Sequence, residues 1–187
     1  MIMLDVRKIT IEEFENNCYE EYTNLFAKNE RRNWEKIKKA YYNNFEIIYG
    51  IYDDNNLIGF FMLEKLDNYP YYLDYFGIFK KYQSMGYGSK AIKILLDKIV
   101  KDDGLIGEID EVNEEDPVTI KRWKFYEKLG FKKYDDVLFA LRVVFNLIIY
   151  PENYKASGEE IAKILMKYYV ANIGEEDTKK ICRIIKK

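Results

Sequence analysis

The sequence predicts a mixed α/β fold: a central sheet of about seven strands with helices on both sides, then a C-terminal helical extension. Three observations carry this prediction. β-Branched and aromatic runs separated by turn residues come first, as hairpins. Strand and helix patterns alternate further along. After Pro151 the pattern becomes helical throughout. With 187 residues, 48% hydrophobic and 33% charged, the chain can build one core and solvate its surface.

Residues 3–9 read as a short strand. Thr10 is an N-cap with Glu13 three places on, which makes a capping box, and Ile11, Phe14, Cys18, Tyr22 and Leu25 follow at helical spacing. A more charged helix runs through Trp34, Ile37 and Tyr41. Residues 45–52 and 57–66 form a hairpin around the turn cluster at 53–56, and residues 71–79 form the next strand. A loop with two glycines leads into a helix whose apolar face is Ile92, Leu95, Leu96 and Ile99. Residues 105–112 are a strand. Asp116-Pro117 starts a helix as N-cap and N1, and Gly130 ends it. Two strands fall within 131–150. In the tail, Ser157 and Glu160 form a second capping box, Gly174 breaks the chain, and a final helix carries Ile181, Ile184 and Ile185.

Composition excludes several chemistries. Histidine is absent, which removes Ser-His and Cys-His nucleophile pairs and His-ligated zinc. Cys18 and Cys182 are too few for a cysteine metal cluster, so no metal is expected, and a reduced cytoplasmic setting fits them. The 30 basic and 32 acidic residues are nearly balanced, which argues against a nucleic-acid-coating role. The N-terminus lacks the apolar core of a signal peptide, and no apolar stretch reaches the ~18 residues of a membrane span.

The strongest local signal is the segment from Tyr75 to Lys90. A buried strand there enters the turn Gln83-Ser84-Met85-Gly86-Tyr87-Gly88, and the turn opens a helix at Ser89-Lys90. Glycines let the backbone approach an anion, and the helix N-terminus favours phosphate. The spacing fits neither a Walker loop nor the dinucleotide fingerprint. Downstream lies Phe125-Tyr126-Glu127-Lys128-Leu129-Gly130-Phe131.

Together, Gln83-x-x-Gly86-x-Gly88 and Tyr126-Glu127-x-Leu129-Gly130-Phe131 resemble the two hallmarks of the GNAT superfamily of N-acetyltransferases, in the family's order and with a strand between them. The resemblance covers residues 3–150, assigned to an acetyltransferase domain over 1–150, and leaves 151–187 as an extension. It implies a mostly antiparallel sheet of the acyl-CoA N-acyltransferase type, acetyl-CoA as co-substrate and an amine acceptor. The backbone of Phe76, Gly77 and Ile78 would pair with the pantetheine arm, with the Ile78 N–H polarising the thioester carbonyl. Residues 84–89 would cradle the pyrophosphate, flanked by Gln83 and Lys90. Tyr126 would protonate the departing thiolate. Three positions depart from the pattern. Ser84 and Met85 stand where the loop often has Arg or Lys, so cofactor charge falls to Lys80, Lys81 or Lys90. Thr119 replaces a frequent asparagine.

Without histidine, the base that frees the amine is a carboxylate, a water chain, or none. Glu111, on the strand before the tyrosine helix, is the first candidate. Asp74 is the second, since it shares a strand face with Ile78. The acidic stretch from Glu108 to Asp116 would steer a cationic acceptor such as a polyamine, an aminoglycoside or a basic peptide, or else is a solvated turn. Two other readings stay open: a non-catalytic acyl-CoA-binding module, and an interaction protein whose tail forms a homodimer or partner surface.

Overall fold

The computed structural model describes residues 4–141 and 143–187. Among them, eight strands form one mixed, mostly antiparallel open sheet flanked by seven helices, the predicted class with one strand more. The chain divides into two compact units, Met1–Lys65 with Leu73–Lys101, and Leu66–Tyr72 with Asp102–Lys187.

The first unit holds β1 (Leu4–Lys8), α1 (Ile11–Asn17), α2 (Tyr19–Leu25), α3 (Trp34–Tyr42), β2 (Glu46–Asp53), β3 (Asn56–Glu64), most of β4 (Tyr71–Ile78) and α4 (Tyr87–Leu95). Thr10 caps α1 through the expected box, with Glu13 answering the Thr10 N–H at 2.7 Å. The apolar series from Ile11 to Leu25 does not make one helix. Cys18, at φ −123°, ends α1 and starts α2, yet stays buried, so the stripe keeps facing the sheet across the break. Phe14, Tyr22 and Ile37 pack there on Ile48, Phe60, Met62 and Tyr75, alternate residues of three neighbouring strands.

The second unit holds β5 (Leu105–Asp110), α5 (Pro117–Glu127), β6 (Lys132–Ala140), β7 (Val144–Tyr150), α6 (Gly158–Ile173), α7 (Glu175–Ile181) and β8 (Arg183–Lys186). Its strands run β5-β7-β6-β8, all antiparallel, and β5 lies parallel to the start of β4 through Tyr71↔Leu105 and Tyr72↔Ile106. Both helix-start readings hold: Asp116 accepts from the Val118 N–H, and the Ser157–Glu160 box opens α6. Gly130 takes φ +83° at the end of the tyrosine helix, a conformation that suits glycine.

One element of the tail is corrected. The final helix stops at Ile181, and Ile184 and Ile185 lie in β8, opposite Phe139 and Leu138 of β6. Two adjacent isoleucines between charged residues fit helix and strand equally, and the open edge of β6 decides for strand.

Tyr168 of α6 is fully buried, accepting from the Leu66 N–H at 3.2 Å and donating to the Pro70 carbonyl. Tyr168→Phe removes both bonds while keeping the ring. The expected loss is ~1–2 kcal/mol, read as a lower urea midpoint with unchanged slope. An unchanged midpoint would show that these bonds contribute nothing net.

Candidate active site

The turn after β4 is built by its own residues. Phe79 donates to Ile58 of β3, and a short 3₁₀ turn runs over Lys80–Tyr82. Gln83 then folds back, its Nε2 donating to the Ile78 carbonyl at 2.9 Å, so the motif glutamine ties the turn to the strand end. Ser84 and Gly86 both adopt left-handed backbone, φ +64° and +79°. Such residues alternating with ordinary ones turn N–H groups inward, toward an anion. A Cβ at Gly86 would meet nothing within 4 Å, so the space beside it is open.

Tyr87 begins α4. The first intrahelical bond is Lys90 N–H to Gly86 O at 3.4 Å, and no side chain caps the end. The N–H groups of Tyr87, Gly88 and Ser89 therefore have no acceptor among the described residues. Lys80, Lys81 and Lys90 are exposed and form no ion pair among those residues. Met85 is also exposed. The Tyr87 ring is buried, anchored by its hydroxyl on Asp53 at 2.5 Å. Free donors, open space and unpaired cations together suit a polyanionic ligand such as the CoA pyrophosphate.

Along β4, Tyr75 and Gly77 are buried, as is Phe79 just past its end, whereas Asp74, Phe76 and Ile78 are half-buried. The Asp74 carboxylate reaches Arg32, beside Glu46, Glu64 and the Tyr75 hydroxyl, whereas Phe76 stacks on Phe61 at 4.7 Å. Gly77 fits tightly: a Cβ there would lie 2.8 Å from Leu25.

In the second unit, Tyr126 is half-buried near the end of α5, its ring edge-on to Phe125 and Phe131 at 5.1 and 5.2 Å. Burial pushes its phenol up to about 12, with Arg122 pulling the other way, so the proton stays on at neutral pH. Its hydroxyl has no hydrogen-bond partner among the described residues. The Glu111 carboxylate accepts from Lys187 Nζ at 2.9 Å. Thr119 is buried and consumed locally, accepting from Asn113 N–H and donating to the Asp116 carbonyl.

The chain matches the Acetyltransferase (GNAT) family over residues 5–131. It belongs to that family. Acetyl-CoA is the family's co-substrate, and the free donors and lysines of the 83–90 turn fit it. No curated protein sequence matches the chain. Solved GNAT structures share the fold. A GNAT-family protein from Bacteroides thetaiotaomicron aligns with TM-score 0.77 and 17% identity, over 91% of this chain and 99% of that one. A spermidine N-acetyltransferase chimera from Vibrio cholerae and hSSAT aligns at 0.61 and 14%, over 84% and 97%. A GNAT acetyltransferase from Elizabethkingia anophelis, solved with acetyl-CoA bound, aligns at 0.55 and 16%, over 78% and 96%.

This GNAT chain also carries a cluster that motif reading missed. Glu46 and Glu64 face each other as directly paired residues of β2 and β3, both side chains fully buried. Arg32, from the loop between α2 and α3, reaches between them. It contacts Glu46, Glu64 (2.9 Å) and Asp74 (2.6 Å). Its own N–H donates to the hydroxyls of Tyr22 and Tyr75 at 3.0 and 2.9 Å, and Tyr75 donates to the Glu30 carbonyl. A signal was present: each glutamate sits at the core parity of its strand, in line with Ile48 or with Phe60 and Met62, where a charge must be paired.

Burial pushes Glu46 up to about 7, with Arg32 opposing and Asp74 adding to the rise. Burial also raises Asp74, again against Arg32. Burial works against the Arg32 charge as well, but Asp74, Glu46 and Glu64 more than reverse it, so the guanidinium stays charged. A carboxyl whose folded value is raised contributes stability that is complete below its ordinary 4.5 and lost as pH climbs through about 7. Stability should therefore fall from pH 5 to 8 by on the order of 2 kcal/mol through this group. In Glu46→Gln the fall should flatten, as read by urea midpoints across that range. An equal slope in both proteins would remove Glu46 as its source.

Neither cysteine is fit to carry an acyl group. Burial, then Glu13 and Glu21, push Cys18 up to about 12; burial, then Glu108, push Cys182 up to about 11. Both thiols are buried and protonated at neutral pH.

Proposed function

We propose that this acetyltransferase is an N-acetyltransferase, moving the acetyl group of acetyl-CoA to a primary amine of a small molecule or peptide by direct transfer in a ternary complex. The observation that carries the reading is the 83–90 turn, with left-handed Ser84 and Gly86, three helix N–H groups without an acceptor among the described residues, and Lys90 exposed and outside any ion pair among them. The buried, protonated cysteines support direct transfer over an acetyl-cysteine route. In this reading residues 84–89 hold the pyrophosphate. The backbone of Phe76, Gly77 and Ile78 pairs with the extended pantetheine arm in the same reading. The Ile78 N–H polarises the thioester carbonyl, and Tyr126 supplies the proton that the departing sulfur takes. A cytoplasmic setting belongs to the same reading; among the described residues, no helix is long and apolar enough to cross a membrane.

A second reading has its own observation. Both candidate bases are held in ion pairs, Glu111 by Lys187 and Asp74 by Arg32, as in an acyl-CoA-binding module without turnover. Calorimetric titration with acetyl-CoA, against free CoA, followed by thiol release over a panel of primary amines, separates the two. Micromolar binding with amine-dependent thiol release supports the enzyme. Binding without release selects the module, and no binding of either ligand overturns both.

A further inference from the structure

We propose that Asp53 is a positioning residue for the cofactor: through the Tyr87 hydroxyl it holds the start of α4 in place, and with it the N–H groups that take the diphosphate of acetyl-CoA. This rests on the 83–90 turn as the pyrophosphate site and adds a residue outside the turn on which its affinity depends.

The turn takes its shape from its own residues, but its helix end has no hold of its own. No side chain caps α4, and its first bond, Lys90 N–H to Gly86 O, is long at 3.4 Å. A helix end with unanswered donors frays unless something else fixes it. A capping side chain would fix it but would occupy a donor that a diphosphate needs. A hold that leaves the backbone open has to come from a side chain bonded elsewhere.

Tyr87 is that side chain. It is the first residue of α4, so its N–H is one of the three open donors, while the residue is only 5% exposed. Tyr82 of the preceding 3₁₀ turn meets the Tyr87 ring edge-on at 6.2 Å, which ties the two sides of the glycine turn together. The Tyr87 hydroxyl donates to Asp53 Oδ2 at 2.5 Å, a length in the range of a charge-assisted bond. That bond, then burial, push the phenol up from its ordinary 10, so the proton stays in place at neutral pH.

Asp53 is a firm post. It ends β2, paired opposite Leu4 of β1 on one side and Asn56 of β3 on the other, and the two-residue turn beyond it carries Asp54 at φ +53°. Asp53, Tyr82, Gly86 and Tyr87 all belong to the first unit. The Tyr87 side chain thus fixes the helix start, while its backbone N–H and those of Gly88 and Ser89 stay open to a ligand. Without the anchor the three donors spread over several orientations. A ligand must then order them as it binds, which lowers affinity.

Calorimetry of the full chain with acetyl-CoA reads the effect. Asp53→Ala and Tyr87→Phe should each weaken binding ~10-fold, and the double variant no more than either alone, because both changes remove one bond. Asp53→Asn, which keeps an acceptor oxygen, should recover most of the loss. The loss should follow the diphosphate. ADP competing with acetyl-CoA should weaken alike, while pantetheine, which carries no phosphate, should compete with an unchanged constant in every variant. A merely structural bond would lower the urea midpoint and leave all three affinities as in wild type, and that result overturns the inference. So does a loss that pantetheine shares, or one that simply adds in the double variant. Gly86→Asp separates the two failures. Acetyl-CoA binding weakened in Gly86→Asp but unchanged in Asp53→Ala removes Asp53 alone. Binding unchanged in both moves the pyrophosphate site and overturns the turn assignment together with this inference.

Discussion

Gly86→Asp should weaken acetyl-CoA binding ~100-fold by calorimetry, ~2.7 kcal/mol, while the chain stays folded. Gly86 has φ +79°, and aspartate is among the few residues that enter this region, at roughly 1 kcal/mol. No atom lies within 4 Å of the new Cβ, so packing does not object. What changes is the field. A carboxylate would stand beside the free N–H groups of Tyr87, Gly88 and Ser89, competing for donors and repelling a diphosphate. Gly86→Asn is the control, with the same backbone tolerance and no charge, and should lose less than about tenfold. Equal affinity for wild type and the aspartate variant would move the pyrophosphate site away from this turn.

Tyr126→Phe should lower kcat for amine-dependent thiol release by about 100- to 1,000-fold, with KM for acetyl-CoA nearly unchanged. The ring contacts with Phe125 and Phe131 survive the change, and the hydroxyl holds no bond among the described residues, so stability should shift by less than ~1 kcal/mol. A phenol held near 12 stays protonated at the pH where the thiolate must leave, which is the state a donor needs. A phenylalanine variant as active as wild type would make Tyr126 a packing residue of α5.

Much of this protein is legible locally. Both capping boxes, the Asp116-Pro117 start and the Gly130 stop lie where the residues put them, because a cap is satisfied within three or four positions. The glycine turn is equally local, since Gln83, Ser84, Gly86 and the first turn of α4 shape it among themselves. What local pattern missed depended on partners distant in sequence. The helix break at Cys18 leaves the apolar stripe intact, so periodicity passes over it. Ile184 and Ile185 became strand because β6 offered an open edge.

The carboxylate cluster shows the divide most sharply. The sequence alone determined that no histidine could serve as base, which left a carboxylate, a water chain or none, with Glu111 and Asp74 as the carboxylate candidates. It gave no hint that Arg32 would meet Glu46, Glu64 and Asp74, residues separated from it by 14, 32 and 42 positions. Strand register alone brings Glu46 opposite Glu64, and it is burial beside Asp74, against the pull of Arg32, that pushes the Glu46 carboxyl up to about 7.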